Sequence, residues 1–289
     1  MWHNEPVARW PRPAGANESV DARDDATGER PQILRCKNHR APSVFTPDAL
    51  LREAQRQKGI GADTVPEICV LDPDGDIVRH LIATNRARRL TSWACYHTYL
   101  HAFEREGVEY GIVACAVGAA FAVLVAEELF ASGCKLLIGI TSAGQIAPVQ
   151  APPYFIIVDR ALRDEGTSYH YLPPAEYSVA DRGLVLLAEE SLAEAGMTVQ
   201  VGAAWTTDAP FRETAEAITT AQDAGILAVE MEAAALYAFA AARNQPVLCL
   251  AHVTNQMGRI EGDFEKGVAA GAEESLNVIT QVARGWRSR

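Results

Sequence analysis

Short apolar runs alternate with longer stretches of helical periodicity along most of the chain. The runs that predict strands lie at residues 68–71, 110–117, 135–140, 154–158, 198–204, 226–229 and 247–252. The stretches that predict helices lie at residues 119–132, 182–196, 213–223, 232–243 and 264–284, and Thr46-Pro47 favours a further helix start. Strands that alternate with helices predict an α/β fold, with a largely parallel or mixed sheet covered by helices on both faces.

Residues 1–42 have a different composition from the rest of the chain. They are rich in proline, charged residues, asparagine and glycine, and they show little periodic apolar pattern. Such a segment buries too little apolar surface to order itself, so we predict a flexible or loosely docked N-terminal extension. Because no internal repeat or second boundary is visible, we predict a single α/β domain over residues 43–289.

Composition and charge narrow the classes of function. The 289 residues are 48% hydrophobic, which supports a sizeable core. The net charge of −11 argues against nucleic acid or a membrane as partner, because both attract positively charged surfaces. No run reaches the ~20 apolar residues of a membrane span. Six scattered cysteines without a CxxC motif, and histidines without metal-ligand spacing, lead us to expect a cytoplasmic protein with no bound metal.

The segment at residues 226–236 carries the most informative pattern. An apolar strand-like run is followed by Glu230, Met231 and Glu232 and then by strong helix formers. These three side chains therefore lie at a strand-to-helix junction, where they can reach a crevice at the carboxyl end of a sheet. A carboxylate there can accept hydrogen bonds from two ribose hydroxyls and can oppose positive charge as a glycosidic bond breaks. The alternative is that the acids only favour the first turn of the helix.

Three further loops combine glycine with groups that suit an anion or a sugar. Gly75 follows the first strand and Arg79 comes four residues later, which suits an anion but also an ordinary turn with a surface arginine. Gly118 precedes a helix whose first N–H groups are free donors. Thr141 and Ser142 end the third strand with two hydroxyls, which suit phosphate or ribose oxygens, or form a plain turn.

Two more loops offer groups that suit a nucleobase. Phe211 and Arg212 place an aromatic face beside a directional donor, although Asp208 could equally cap a following helix. Asn255 ends the last strand, and its amide can both donate to and accept from a base edge, or it is an ordinary loop residue.

In this order, the motifs resemble those of the nucleoside phosphorylase and nucleosidase superfamily, with the uridine phosphorylases as the nearest branch. The similarity covers about residues 66–257 and comprises GDxxR, AEEL, TSAG, TTDxxF, VEMEAAAL and VTN, of which TTDAPF and VEMEAAAL are the most specific. The resemblance implies a three-layer αβα sandwich with a mixed, partly parallel, twisted central sheet. It implies phosphorolysis of a nucleoside to free base and ribose 1-phosphate, with inorganic phosphate as co-substrate and no organic cofactor.

The resemblance also implies roles for individual residues. Gly75 and Arg79 would hold phosphate, Thr141 would touch phosphate and ribose, and Met231 with Glu232 would hold the sugar. Glu232 and Arg79 are accordingly the expected catalytic residues. Gly118, Ser142 and Glu230 are expected to line the substrate site, and Phe211, Arg212 and Asn255 its base side.

Two departures from the family pattern concern the phosphate site. Ile138 and Tyr96 stand where the resemblance leads us to expect arginines. Losing two guanidinium groups removes charge-assisted hydrogen bonds of roughly 1.5–3 kcal/mol each, unless Arg88, Arg89 or another basic side chain replaces them. A hydrolytic nucleosidase and a non-catalytic nucleoside-binding protein therefore remain alternatives.

The resemblance bears on the base and on the assembly as well. Asn255 cannot protonate a leaving base, so it suits uridine, or a 6-oxopurine bound without full proton transfer, and of these we expect a uridine-like pyrimidine nucleoside. A homo-oligomer, either a dimer or a hexamer, is expected, with its sites near subunit interfaces.

Overall fold

The computed structural model describes residues 31–34, 37–258, 261, 263–264 and 266–289. Most of the predicted extension over residues 1–42 therefore lies outside the described residues. Within its described part, Lys37 Nζ lies 3.0 Å from His170 Nδ1, and His39 Nε2 lies 3.2 Å from the carbonyl oxygen of Tyr169.

The described residues form ten strands and eight α-helices. The strands are β1 (Ile68–Asp72), β2 (Ala87–Arg89), β3 (Leu100–Arg105), β4 (Val108–Ala114), β5 (Leu136–Gln145), β6 (Tyr154–Asp164), β7 (Tyr177–Val179), β8 (Gln200–Thr207), β9 (Ile226–Glu230) and β10 (Val247–Asn255). The helices are α1 (Pro47–Lys58), α2 (Asp76–Ala83), α3 (Ala119–Ala131), α4 (Ser168–Tyr171), α5 (Arg182–Glu194), α6 (Ala215–Asp223), α7 (Ala233–Arg243) and α8 (Ala272–Arg287). Short 3₁₀ turns lie at Gln32–Leu34, Pro210–Arg212 and Val268–Gly271.

All ten strands belong to one mixed sheet. Its order is β10-β6-β8-β9-β5-β1-β4-β3-β2, with β7 added at β6. The β1 strand pairs in parallel with β4 and β5, while β3 and β2 continue the sheet with antiparallel pairs. The helices pack in two groups, α1 and α4 with α3 and α7, and α2 and α5 with α8. This arrangement confirms the predicted α/β class with a mixed central sheet.

Part of the sheet closes on itself. The β10 strand pairs with both β6 and β5, so β5, β10, β6, β8 and β9 form a ring of strands. The long β5 strand makes this possible because its first half pairs with β1 and its last residues, Gly144 and Gln145, pair antiparallel with β9. Between these two pairings Thr141 and Ser142 have no partner on that side among the described strands, which opens a crevice at the point where β5 changes neighbours.

The apolar pattern of the strands reflects this burial. Every residue of β1 and of β10 is buried, and α3 is apolar on nearly all of its faces because it packs between α1 and α7. One continuous cluster of buried side chains joins β1, β4, β5 and β10 to the helices. This rigid core fixes the positions of the strand ends. Within the described residues, every helix is too short or too polar to span a bilayer.

Most predicted elements are present, with some corrections. The structure adds α2, which starts directly after Gly75, and the short strands β2, β3 and β7. The last helix begins at Ala272 rather than at residue 264, because the backbone at Ala269 and Ala270 has positive φ and interrupts it. Thr214, and not Asp208, caps α6, by accepting a hydrogen bond from Ala217 N.

Candidate active site

The two acids of the β9–α7 junction, Glu230 and Glu232, have different hydrogen-bond partners. Glu230 is buried, and its Oε2 accepts hydrogen bonds of 2.7 Å from the backbone N–H groups of Glu232 and Ala233. Its Oε1 accepts from the hydroxyl of Thr206, which itself accepts from Ala234 N. Glu230 therefore satisfies the first N–H groups of α7, as a capping residue does. Capping, the alternative interpretation of the pattern, applies to this residue.

Glu232 points in a different direction. Its Oε1 accepts a hydrogen bond of 2.6 Å from the N–H of Gly118, and its Oε2 lies 3.3 Å from Met231 N. Among the described residues it has no ion pair with a lysine, arginine or histidine. A carboxylate has about four lone-pair positions, so acceptor capacity remains for an external donor. Although Glu232 is only 3% exposed, Gly118 and Met231 beside it are half-buried, so the site reaches the surface.

Burial raises the pKa of Glu232 to about 8, and the charge of nearby Glu230 contributes to the same shift. Hydrogen bonds from Gly118 N, the Thr141 hydroxyl and Met231 N oppose this shift without cancelling it. The pKa of Glu230 is also raised, chiefly by burial. Ionising Glu232 is thus costly, and the carboxylate gains from any donor or positive charge that a ligand brings to it.

The crevice beside β5 connects Glu232 to the β1–α2 loop. Thr141 and Ser142 are half-buried there, and the hydroxyls of Ser142 and Thr254 lie 2.8 Å apart. The backbone N–H of Ser142 donates to Asp74 Oδ2 at 3.1 Å. Gly118 after β4, Thr141 and Ser142 on β5, and Glu232 after β9 therefore meet around one crevice.

Asp72 shapes the β1–α2 loop. Its carboxylate accepts hydrogen bonds of 3.0 Å from Gly75 N and Val78 N, which holds the turn and caps α2. Gly75 has a φ of 75°, and a Cβ at this position would lie 2.8 Å from Cys115 Sγ. Both the positive φ and the close approach of Cys115 Sγ favour glycine at this position. Burial raises the pKa of Asp72 to about 7.

Arg79 lies one turn into α2 and is largely exposed. Its guanidinium donates to Asp76 Oδ1 and, at 2.8 Å, to the carbonyl oxygen of Asp74. These contacts use one terminal nitrogen, so other guanidinium donors remain for a ligand. The predicted anion-binding pair, Gly75 and Arg79, is therefore adjacent to the crevice, although Arg79 is paired with an acid.

Sequence reasoning missed three charged residues of this region: Asp74, Asp76 and Lys266. Lys266 Nζ donates to Asp74 Oδ2 at 3.0 Å and to Asp76 Oδ2 at 2.7 Å. Burial lowers the pKa of Lys266, but hydrogen bonds and charge from the two acids outweigh it and raise the pKa overall. Burial alone would raise the pKa of Asp76, but the hydrogen bonds from Lys266 and Arg79 outweigh that effect, so its pKa is lowered overall. Nothing local in the sequence pairs residue 74 with residue 266.

His252 was also missed. It lies on β10 opposite Ser142, stacks on Phe155 with ring centroids 4.4 Å apart, and is buried. Burial lowers its pKa to about 4, so the ring is neutral near pH 7. Its Nε2 has no hydrogen-bond partner among the described residues.

Of the three residues predicted for the base side, one is buried and two are exposed. Asn255 is buried, accepts a hydrogen bond from Met257 N through Oδ1, and lies 3.4 Å through Nδ2 from the carbonyl oxygen of Ala143. Phe211 is 98% exposed in the Pro210–Arg212 turn, and Arg212 is exposed as well. The structure therefore brings Asn255 to the strand ends, whereas the Phe211 loop stands in solvent, and its contact with a base stays a prediction.

The comparison with protein families decides what kind of protein this is. The model of the phosphorylase superfamily matches residues 67–284, well over half of the chain. The chain belongs to the phosphorylase superfamily. The matched residues include β1, β9 and both acids of the β9–α7 junction. Family membership therefore rests on the region that also forms the crevice.

Relatives within the superfamily differ in substrate. The uridine phosphorylase of Thermococcus kodakarensis is 26% identical over 215 residues, covering 68% of this chain and 76% of that protein. A DeoD-type purine nucleoside phosphorylase of Streptococcus uberis is 26% identical over 181 residues, covering 62% and 74%. The structure of the 5′-methylthioadenosine/S-adenosyl homocysteine nucleosidase of Campylobacter jejuni superposes with a TM-score of 0.63 at 18% identity, covering 75% and 98%. This likeness shows the fold alone.

The two positions at which arginines were expected hold an aliphatic and an aromatic side chain. Ile138, one of the positions where an arginine was expected, is fully buried in the core of β5. Tyr96, the other, lies at the surface, and its hydroxyl donates to Gln57 Oε1 at 2.8 Å. Arg88, a candidate replacement, pairs with Glu109, and Arg89 stacks on Tyr99. In the described structure, the cations next to the crevice are instead Arg79 and Lys266.

Proposed function

We propose that the protein is a nucleoside phosphorylase, which breaks the N-glycosidic bond of a uridine-like nucleoside and transfers the pentosyl group to inorganic phosphate. The observation that carries this proposal is the position of Glu232, which has no described cation partner and is held by Gly118 N at the edge of the β5 crevice. Its family supports the reaction class, since the relatives that span most of its matched region are phosphorylases.

Glu232 would act on the sugar. Its carboxylate can accept hydrogen bonds from the ribose hydroxyls, with the Thr141 hydroxyl free to turn towards the ligand, and those hydrogen bonds favour the ionised carboxylate. As the C1′–N bond lengthens, positive charge develops on the ring, and a fixed negative charge nearby stabilises that state more than the ground state. Met231, half-buried beside it, offers an apolar contact for the pentose.

Phosphate would bind on the opposite side of the crevice. Arg79 has unused guanidinium donors, and the hydroxyls of Thr141 and Ser142 lie on the β5 segment between its two strand pairings. Inorganic phosphate then attacks C1′, the glycosidic electron pair leaves with the base, and pentose 1-phosphate forms. Asn255 supports a pyrimidine, because an amide can hold a base edge but cannot protonate a leaving purine nitrogen. No step requires an organic cofactor.

A hydrolytic reaction is the second candidate, because a specific observation favours it. Asp74 already accepts the hydrogen bonds of Ser142 N and Lys266 Nζ, which an incoming phosphate would otherwise receive. With these donors occupied, water is the competing acceptor. The N-glycosidic chemistry at Glu232 is the same in both reactions.

One experiment separates the candidates. The full-length protein is incubated with uridine, thymidine, cytidine, inosine and adenosine, each with and without inorganic phosphate, and bases and pentoses are separated by chromatography. Phosphate-dependent release of uracil with formation of ribose 1-phosphate is expected. Release of base and free ribose without phosphate would establish hydrolysis instead. Binding without any turnover would leave only a nucleoside-binding protein.

The resemblance further leads us to propose a homo-oligomer, a dimer or a hexamer. Light scattering coupled to size-exclusion chromatography measures this directly, and a monomeric mass at micromolar concentration would contradict it.

A further inference from the structure

We infer that Asp74 is a tethered anion that competes with inorganic phosphate for the donors of the acceptor site, and that it thereby determines which acceptor reaches the pentose. The inference rests on the proposed function, and it assigns a specificity-determining role to a residue outside the predicted set.

The contacts of Asp74 are those that a phosphate oxygen needs. One oxygen, Oδ2, accepts both the backbone N–H of Ser142 at 3.1 Å and the ammonium of Lys266 at 3.0 Å. The Ser142 N–H is available because β5 has no strand partner on that side at this point. A backbone donor and an ammonium group converging on one anionic oxygen form an anion site, and here the anion is part of the chain.

The β1–α2 loop holds Asp74 in this position. On one side Asp72 fixes Gly75 N and Val78 N, and on the other the Asp74 carbonyl oxygen accepts from Arg79. A group that is attached to the same rigid loop competes at an effective concentration of about millimolar or more. Free phosphate that binds these donors no more tightly than the Asp74 carboxylate does must therefore exceed this concentration to displace it.

The charges of the site lead to the same conclusion. Asp74 and Asp76 are paired with Lys266, and Asp76 is also paired with Arg79. These two acids and two cations carry no net charge together, so a phosphate dianion gains little from entering between them. Without the Asp74 charge this group of residues would be positive by one. Ile138 and Tyr96 carry no guanidinium that could add positive charge. The charge available to phosphate therefore depends on the two acids and two cations named above.

The test uses Asp74→Asn, which keeps the side-chain shape and one acceptor oxygen but removes the charge. Isothermal titration with inorganic phosphate should show binding at least about tenfold tighter than in the wild-type protein, since a competing charge-assisted hydrogen bond is lost. Lys266→Gln should bind phosphate more weakly. Asp63→Asn changes an exposed acid in the loop before β1 and is the matched control.

Equal or weaker phosphate affinity in a folded Asp74→Asn protein, including undetectable binding by both proteins, would overturn the inference. Asp74→Ser is the second variant in case the first does not fold, with the same expectation. The titration needs no turnover, so it decides the role of Asp74 even if no nucleoside is cleaved. Conversely, phosphate-independent cleavage by the wild-type protein would overturn the proposed phosphorolysis and leave the inference about Asp74 intact.

Discussion

Replacing Glu232 by glutamine removes one buried charge with almost no change of shape. In the folded protein the pKa of this carboxyl rises from 4.5 to about 8, first through burial and then through the charge of Glu230. At about 1.4 kcal/mol per pKa unit, ionising Glu232 costs up to about 5 kcal/mol more in the folded state than in the unfolded chain. Glutamine carries no such cost.

The sign of the effect on stability follows from proton binding. Between pH 4.5 and 8 the folded state retains the Glu232 proton while the unfolded chain has lost it, so this group makes the wild-type protein less stable as pH rises through that range. Relative to Glu232→Gln, the wild-type free energy of unfolding should fall by up to about 5 kcal/mol between about pH 4.5 and 9. Urea unfolding followed by circular dichroism at several pH values measures the difference.

Activity should respond in the opposite direction. Because the ionised carboxylate is the stabilising form, wild-type kcat/KM for the nucleoside should rise as pH approaches 8, and Glu232→Gln should lose about 100- to 1000-fold and show no such rise. Glu189→Gln, at an exposed position of α5, is the control for both measurements. Activity of Glu232→Gln within about twofold of wild type, or parallel stability curves for the two proteins, would refute the reasoning.

Three further substitutions test neighbouring assignments. Arg79→Ala should raise the KM for phosphate about tenfold with little effect on the KM for nucleoside, since we propose that the free donors of this largely exposed guanidinium bind phosphate; equal effects on both constants would contradict this. Glu230→Gln should lower the free energy of unfolding by about 1–3 kcal/mol, because the amide has one acceptor oxygen, so either the α7 N–H groups or the Thr206 hydroxyl lose their acceptor; unchanged urea unfolding would argue against the cap. Phe211→Ala should leave thermal unfolding unchanged, as the ring is 98% exposed, but raise the KM for nucleoside; an unchanged KM would remove it from the base site.

Much of the local structure could be predicted from the sequence, because its causes are local. The strand-to-helix junction at residues 226–236 follows from an apolar run and a run of helix formers, and the structure places β9 and α7 there. The helix at Pro47–Lys58 begins where threonine and proline predict it. The strands that were missed, such as Ala87–Arg89 and Tyr177–Val179, are short and partly exposed, so they carry no apolar period.

The different roles of Glu230 and Glu232 follow only from the tertiary structure. Glu230 and Glu232 look equivalent in sequence, yet only the path of the chain after β9 turns the first towards the α7 N–H groups and the second towards Gly118. The ring closure of the sheet at β10 and the contact of Asp74 with Lys266 likewise join residues far apart in sequence. The pattern of apolar and polar residues in the sequence indicates which face of a helix or strand is buried. Hydrogen bonds and ion pairs between residues distant in sequence depend instead on where the packed core places the ends of the strands.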